Sequence, residues 1–174
     1  LARDELRGKS FIFLPQFYES EGYVSARLKM MLRFPAPAFH DAERQIEKIE
    51  KQNGIVYAKQ QKEAIKSALQ KGLLVLTGGP GTGKTTTLNA IIEVLKDNGQ
   101  KVLLAAPTGR AAQRMSELTG CEAKTIHRLL EVQWDKNDKP AFKKNEQHTL
   151  DCDALVLDEL SMVDDELFES VLRA

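Results

Sequence analysis

The stretch LLVLTGGPGTGKTTTLNAIIEVL, residues 73–95, decides the fold. Leu73 to Thr77 is an apolar run of strand length, read as a buried strand. Lys84 to Asp97 carries apolar residues at helical spacing until Asn98-Gly99 stops it. Between them, Gly78, four residues, and then Gly83-Lys84-Thr85 form the phosphate-loop pattern, in the strand-to-helix setting its mechanism requires. Glycines let the backbone fold tightly and turn its N–H groups onto phosphate oxygens, and the helix start adds the positive end of its dipole. The pattern predicts that Gly78, Gly79, Pro80, Gly81, Thr82, Gly83, Lys84, Thr85 and Thr86 hold a nucleotide's phosphates. Lys84 would reach the β- and γ-phosphates, and Thr85 would place its hydroxyl on Mg²⁺. The competing reading is a plain glycine-rich turn before a buried helix, which the full pattern in this context disfavours.

Working outward, strands and helices alternate. Ala58 to Gln70 reads as a helix and Val102 to Ala106 as a strand ended by Pro107. Gly109 to Leu118 and Thr125 to Val132 read as helices, Ala154 to Leu157 as a strand and Asp164 to Leu172 as a last helix. The polar segment 133–150, with Trp134 and Phe142, reads as an insertion or a hairpin. Short apolar strands alternating with helices predict an α/β fold, a parallel sheet covered by helices on both faces. Asp158-Glu159 follows one strand directly, on the side where parallel sheets bind ligands. Asp158 could hold Mg²⁺ through water, and Glu159 could orient or deprotonate an attacking water. Two solvated carboxylates capping a strand are the plainer alternative.

Upstream, Phe11 to Leu14 reads as a strand ended by Pro15. A helix follows, with Phe17, Val24, Leu28 and Met31 recurring at three to four residues. PAPAFHD breaks it, and DAERQIEKIEKQNG reads as a second, polar helix ended by Asn53-Gly54. The expectation is a small α/β extension, residues 1–53, serving packing and linkage, followed by a nucleotide-binding unit over 54–174.

The composition sets outer limits. Hydrophobic residues make up 42%, enough for a core, and charged residues 29% with a formal net charge of +0, so no whole-protein field attracts a polyanion. Charge is uneven: 151–174 holds eight acids and one base, Arg173, whereas 101–150 holds nine Lys/Arg and six Asp/Glu. A nucleic-acid surface would therefore be a local patch. Cys121 and Cys152 lack metal-ligand spacing and read as reduced thiols, although a disulfide is open in principle. No segment approaches membrane-span length and the first ten residues carry no signal-peptide core, which gives a soluble intracellular expectation.

GGPGTGKTT, APTGRAAQRM, TIHRLL and VLDELSMVD, in this order, resemble the RecD-like helicases of superfamily one, most of all the long bacterial type that acts outside RecBCD. The resemblance covers Ile55 to Ala174 and reaches more weakly into the N-terminal part. It implies a RecA-like P-loop NTPase fold and an ATP- and Mg²⁺-dependent DNA helicase moving 5′ to 3′ on single-stranded DNA. It further implies a bacterial cytoplasmic, monomeric protein of DNA repair and recombination. Gln61 matches the glutamine that reads adenine, in preference to Gln60, because Ala64 follows it at the family's spacing; a polar helix face is the alternative. Pro107, Thr108, Gly109 and Arg110 match a segment that touches single-stranded DNA, where Thr108 could cap the next helix and free its N–H groups for a phosphate. Thr125 and His127 are offered for the same partner, with a structural histidine the open alternative. Ser161 and Met162 match the motif around the acidic pair, and Leu160 departs from the small residue often found there.

The family's motor has two RecA-like domains with ATP between them. The expectation is that this chain is a piece cut at both ends, holding most of the first domain and hydrolysing slowly by itself. The family's arginines beyond it would be worth about 10³–10⁵ in rate. Three other readings stay open: a nucleotide-binding switch or scaffold that unwinds nothing, a relaxase-associated or RNA helicase, and, more weakly, a small P-loop kinase.

Overall fold

The computed structural model describes residues 1–34, 39, 41–79, 81–134 and 140–174. Its centre is a parallel sheet of three strands, with β3 (Val102–Ala106) between β4 (Ala123–Thr125) and β7 (Ala154–Leu157). The register pairs Val102 with Ala154, Ala105 with Leu157, and Ala106 with Thr125. Successive strand side chains point to opposite faces, and both faces of this sheet are covered. On one face Leu104 and Val156 pack with Ile92 of α4 (Lys84–Asp97) and Met115 of α5 (Gly109–Thr119). On the other, Ala105, Leu155 and Leu157 pack with Ile126 and Leu129 of α6 (Ile126–Leu129) and Leu167 and Val171 of α7 (Asp165–Arg173). The expected α/β architecture is therefore present.

A further apolar cluster joins α4 to α2 (Ala42–Asn53) and α3 (Lys59–Gln70), through Ile46, Ile49, Ile65, Leu69, Ile91 and Val94. Glu50 fixes the link between α2 and α3, accepting the Tyr57 N–H at 2.7 Å and the Lys62 ammonium at 2.9 Å. At the N-terminus β1 (Ala2–Leu6) and β2 (Lys9–Phe13) form an antiparallel hairpin that leads into α1 (Pro15–Arg33). Pro15 opens that helix, where its missing N–H costs nothing. A second hairpin, β5 (Val132–Trp134) with β6 (Pro140–Phe142), realises the hairpin alternative for the polar segment.

Three expectations change. Leu73–Thr77 is not a buried strand: these residues join no ladder with the described residues, and Val75 is 73% exposed. Its apolar pattern is that of a strand, but a strand also needs a backbone partner, and none of the described strands pairs with it. The helix expected over Thr125–Val132 is a single turn, because Ala123–Thr125 pairs with β3 and Val132–Trp134 enters the hairpin. The first strand is Lys9–Phe13 rather than Phe11–Leu14, and it has a partner, Ala2–Leu6, in a segment for which no element was expected. Both cysteines are free, as expected.

Candidate nucleotide site

Three of the loops of interest leave the sheet at its carboxyl edge. Pro107 and Thr108 follow β3, Thr125 ends β4, and Asp158 follows β7, where its N–H continues the ladder by donating to Ala105 O at 3.0 Å. Two clusters show how α4 runs over these strands. Ile91, Val94 and Leu95 share a cluster with Val102 and Ala154, the first residues of β3 and β7. Leu88 and Ile92, nearer the helix start, share one with Leu104 and Val156, further along the same strands. α4 is thus antiparallel to the strands, and its N-terminus, Gly83-Lys84, points to the edge from which Asp158 emerges.

The loop before α4 is tightly wound. Thr82 Oγ1 donates to Gly79 O at 2.9 Å, and Lys84 Nζ turns back into the loop, donating to Gly78 O at 2.5 Å and Gly79 O at 2.8 Å. A Cβ at Gly78 would stand 2.8 Å from Thr82 Oγ1, and one at Gly83 would stand 2.4 Å from Gln61 Nε2. Gly81 and Gly83 have φ of 73° and 80°, where a side chain is strained. A side chain is therefore opposed by close approach at Gly78 and by the backbone conformation at Gly83, where the contact is only with the movable end of Gln61. Thr87, buried one turn into α4, donates its hydroxyl to Gly83 O at 3.0 Å and ties the loop to the helix. Nothing in the motif spacing pointed to Thr87. Thr85 and Thr86 follow Lys84 in the first helical turn, Thr85 exposed. Pro80 lies outside the described residues.

Gln61 reaches this loop from α3. Its Oε1 accepts the Ala58 N–H at 2.9 Å, and its Nε2 lies 3.4 Å from Gly83 O. The amide thus has one end on the start of its own helix and the other on the end of the phosphate loop. Glu50 holds the approach to α3, a role with no motif signal because it depends on the α2–α3 packing.

The acidic pair is exposed. Asp158 Oδ1 accepts the Glu159 N–H at 2.9 Å, and Glu159 has φ of 52°, a left-handed conformation that costs a side-chain residue about 1–2 kcal/mol. A short 3-10 turn, Leu160–Met162, follows and contains Ser161; Leu160 and Met162 are exposed. Asp164 then caps α7, accepting the Leu167 N–H at 2.7 Å.

Of the residues expected to face DNA, Thr108 caps α5 by accepting the Ala111 N–H at 3.2 Å, with Gly109 and Arg110 exposed in the first turn. Thr125 caps α6 by accepting the Arg128 N–H at 3.2 Å. These two N-caps sit side by side, since Ala106 pairs with Thr125. His127 has its ring 6.0 Å from that of Phe142, so the histidine also packs against the second hairpin.

The residues fit a nucleotide with Mg²⁺. The loop is a cradle that a Cβ at Gly78 or Gly83 would fill, an ammonium is directed into it, and a hydroxyl and a carboxylate are exposed at the same sheet edge. Two concavities lie elsewhere: a groove of about 360 Å³ between α2 and α3, lined by Glu43, Ile46, Lys62 and Lys66, and one of about 420 Å³ lined by Glu131, Lys143, Lys144 and His148. In the first, Lys66 holds the Glu43 carboxyl below its ordinary range through a hydrogen bond and its charge.

A family model described as an AAA domain matches residues 61–174. The ATP-dependent RecD2 DNA helicase of Deinococcus radiodurans is 35% identical over 167 residues, covering 96% of this chain and 22% of the relative. The RecBCD enzyme subunit RecD of Mycolicibacterium smegmatis is 38% identical over 138 residues, 66% of this chain and 24% of the relative. The ATP-dependent DNA helicase dda of Enterobacteria phage T4 is 39% identical over 108 residues, 59% of this chain and 24% of the relative. The chain spans under a quarter of the length of these three relatives. Among the described residues no helix is long and apolar enough to cross a membrane.

Proposed function

The chain belongs to the RecD-like helicase superfamily, through an AAA domain over residues 61–174, and from that premise we propose that the full-length protein is an ATP-dependent DNA helicase. In this reading 54–174 is part of the first RecA-like domain and 1–53 belongs to an accessory region with its linker. The protein is monomeric, works in the bacterial cytoplasm in repair and recombination, and moves 5′ to 3′ on single-stranded DNA.

The observation that carries the proposal is the cradle at Gly78–Gly83, with the Lys84 ammonium inside it, at the sheet edge shared with Asp158. The loop N–H groups and Lys84 bind and orient the triphosphate tail. To do so, Lys84 exchanges its two loop carbonyls for phosphate oxygens, which are stronger, charge-assisted acceptors. Gln61, already against Gly83, donates and accepts at the adenine edge. Bound Mg²⁺, held by Thr85 and Asp158, would neutralise phosphate charge as the bond to the terminal phosphoryl breaks. Glu159 orients the attacking water and takes up its proton. Thr108 and Thr125 turn two adjacent helix starts to the same edge, where their N–H groups and Arg110 meet phosphates of single-stranded DNA.

The test is Lys84→Ala in the full-length protein. It is expected to abolish DNA-stimulated ATP hydrolysis, and hydrolysis at the wild-type rate in this variant would refute the site. Wild-type hydrolysis that single-stranded DNA fails to stimulate would instead favour a nucleotide-binding switch.

A further inference from the structure

The helix α1 docks on α7 with its apolar residues Val24, Leu28 and Met31 only half-buried. Ser20 is the one residue of α1 that is fully buried, at 4% exposure, and it is polar. Its hydroxyl donates to Glu169 Oε2 at 2.5 Å. The other oxygen of Glu169 accepts two bonds from Arg173, one turn on, at 2.8 and 2.7 Å. Arg173 also donates to Glu146 Oε1 at 2.8 Å, and its guanidinium carbon lies 3.8 Å from the centre of the Tyr23 ring. Tyr23 closes the circuit by donating its hydroxyl to the same Glu146 oxygen at 2.9 Å. Five side chains from α1, α7 and the segment after β6 thus form one bonded network centred on Arg173. A guanidinium with two carboxylates and an aromatic face is a geometry that lysine reproduces only in part.

The network matters because of what α7 holds. Six residues separate Asp158 from the first residue of α7, and within them Glu159 keeps its left-handed backbone. Such a conformation persists only when both flanks fix it. One flank is the ladder bond from Asp158 to Ala105; the other is α7. α7 is seated on the sheet by Leu167 and Val171, and on α1 by Glu169 and Arg173.

We propose that Glu169 and Arg173, clamped by Ser20 and Tyr23 of α1, are positioning residues for the acidic pair, so that the N-terminal helix sets the rate of ATP hydrolysis. This rests on the helicase reading above. It assigns the N-terminal extension a role beyond packing: whatever draws α1 off α7 slows the chemical step without altering the nucleotide cradle, which lies on the other face of the sheet with α4.

The test uses the full-length protein, with steady-state DNA-stimulated ATP hydrolysis and binding of a fluorescent ATP analogue measured in parallel. Misplacing catalytic groups from a distance lowers kcat, so Arg173→Met and the double variant Ser20→Ala/Tyr23→Phe are each expected to lose about tenfold in kcat. KM and analogue affinity should stay within about twofold, as for an interaction that acts only in the transition state. Arg173→Lys, which keeps a cation for Glu169 but not the fork to Glu146 and the Tyr23 face, is expected to recover only part of the loss. The α1 double variant decides the matter should Arg173→Met fail to fold, since it removes two hydroxyls and no carbon atom. Unchanged kcat in that variant, or kcat and analogue affinity falling together, would overturn the proposal. Lys84→Ala in the same series separates the two readings. An active wild type, an inactive Lys84→Ala and unaffected clamp variants would sink the clamp alone, while a wild type without ATP hydrolysis would sink both.

Discussion

Gly83 carries two constraints of different kinds, and they can be separated. An alanine there meets the end of the flexible Gln61 side chain, which can swing away, but it also inherits a φ of 80°, which nothing relieves. Gly83→Ala is therefore expected to lower the unfolding free energy by about 1–2 kcal/mol in a denaturant titration. Adding Gln61→Ala should restore none of it. Recovery in the double variant would mean that the side-chain contact, rather than the backbone, carries the cost. At this scale the sequence was informative wherever a residue type answers a fixed need, as with Gly81 and Gly83 at positive φ or Thr108 as a cap. It was silent on Thr87, Glu50, Ser20 and Arg173, whose partners stand 4, 7, 149 and 4 residues away but acquire meaning only from how helices pack.

Helices and strands whose limits are set by local chemistry were legible to the residue. α4 starts after a glycine and stops at Asn98, β3 stops at Pro107, and β7 is an apolar run ended by two acids. Elements defined by a neighbour were not. β1 is mostly charged and exists through its pairing with β2, β4 is three residues fixed by β3, and Leu73–Thr77 has the pattern of a strand but pairs with none of the described strands. Two predictions belong here. Thr108→Ala removes the cap of α5 and is expected to cost about 1 kcal/mol of stability, while Thr108→Ser keeps the acceptor and most of that energy. Equal losses in the two variants would show that the cap is not what Thr108 supplies. Glu50 joins α2 to α3, and the hydrogen bond from Lys62, then that from the Tyr57 N–H, hold its carboxyl below the ordinary value of 4.5. A carboxylate depressed on folding stabilises the folded state fully above that ordinary value, and the gain is lost as pH falls through the lowered one. Stability should fall on acidification below about pH 4.5, and less steeply in Glu50→Gln. An unchanged slope in the variant would remove Glu50 from the link.

In the whole molecule, four loops from different parts of the chain converge on one edge of a small parallel sheet. That convergence was readable as a pattern, strand then loop then helix, repeated. What could not be read was which helices cover each face of the sheet, α4 and α5 on one side and α6 and α7 on the other. The central claim is that the loop before α4 and the acid after β7 serve a single bound nucleotide. The most direct measurement is paramagnetic broadening of amide NMR signals by Mn²⁺ added together with a non-hydrolysable ATP analogue. Gly81, Gly83 and Asp158 are expected to broaden together, and Asp158→Ala to weaken the effect at both glycines. Broadening at Gly81 and Gly83 that leaves Asp158 sharp would contradict the account.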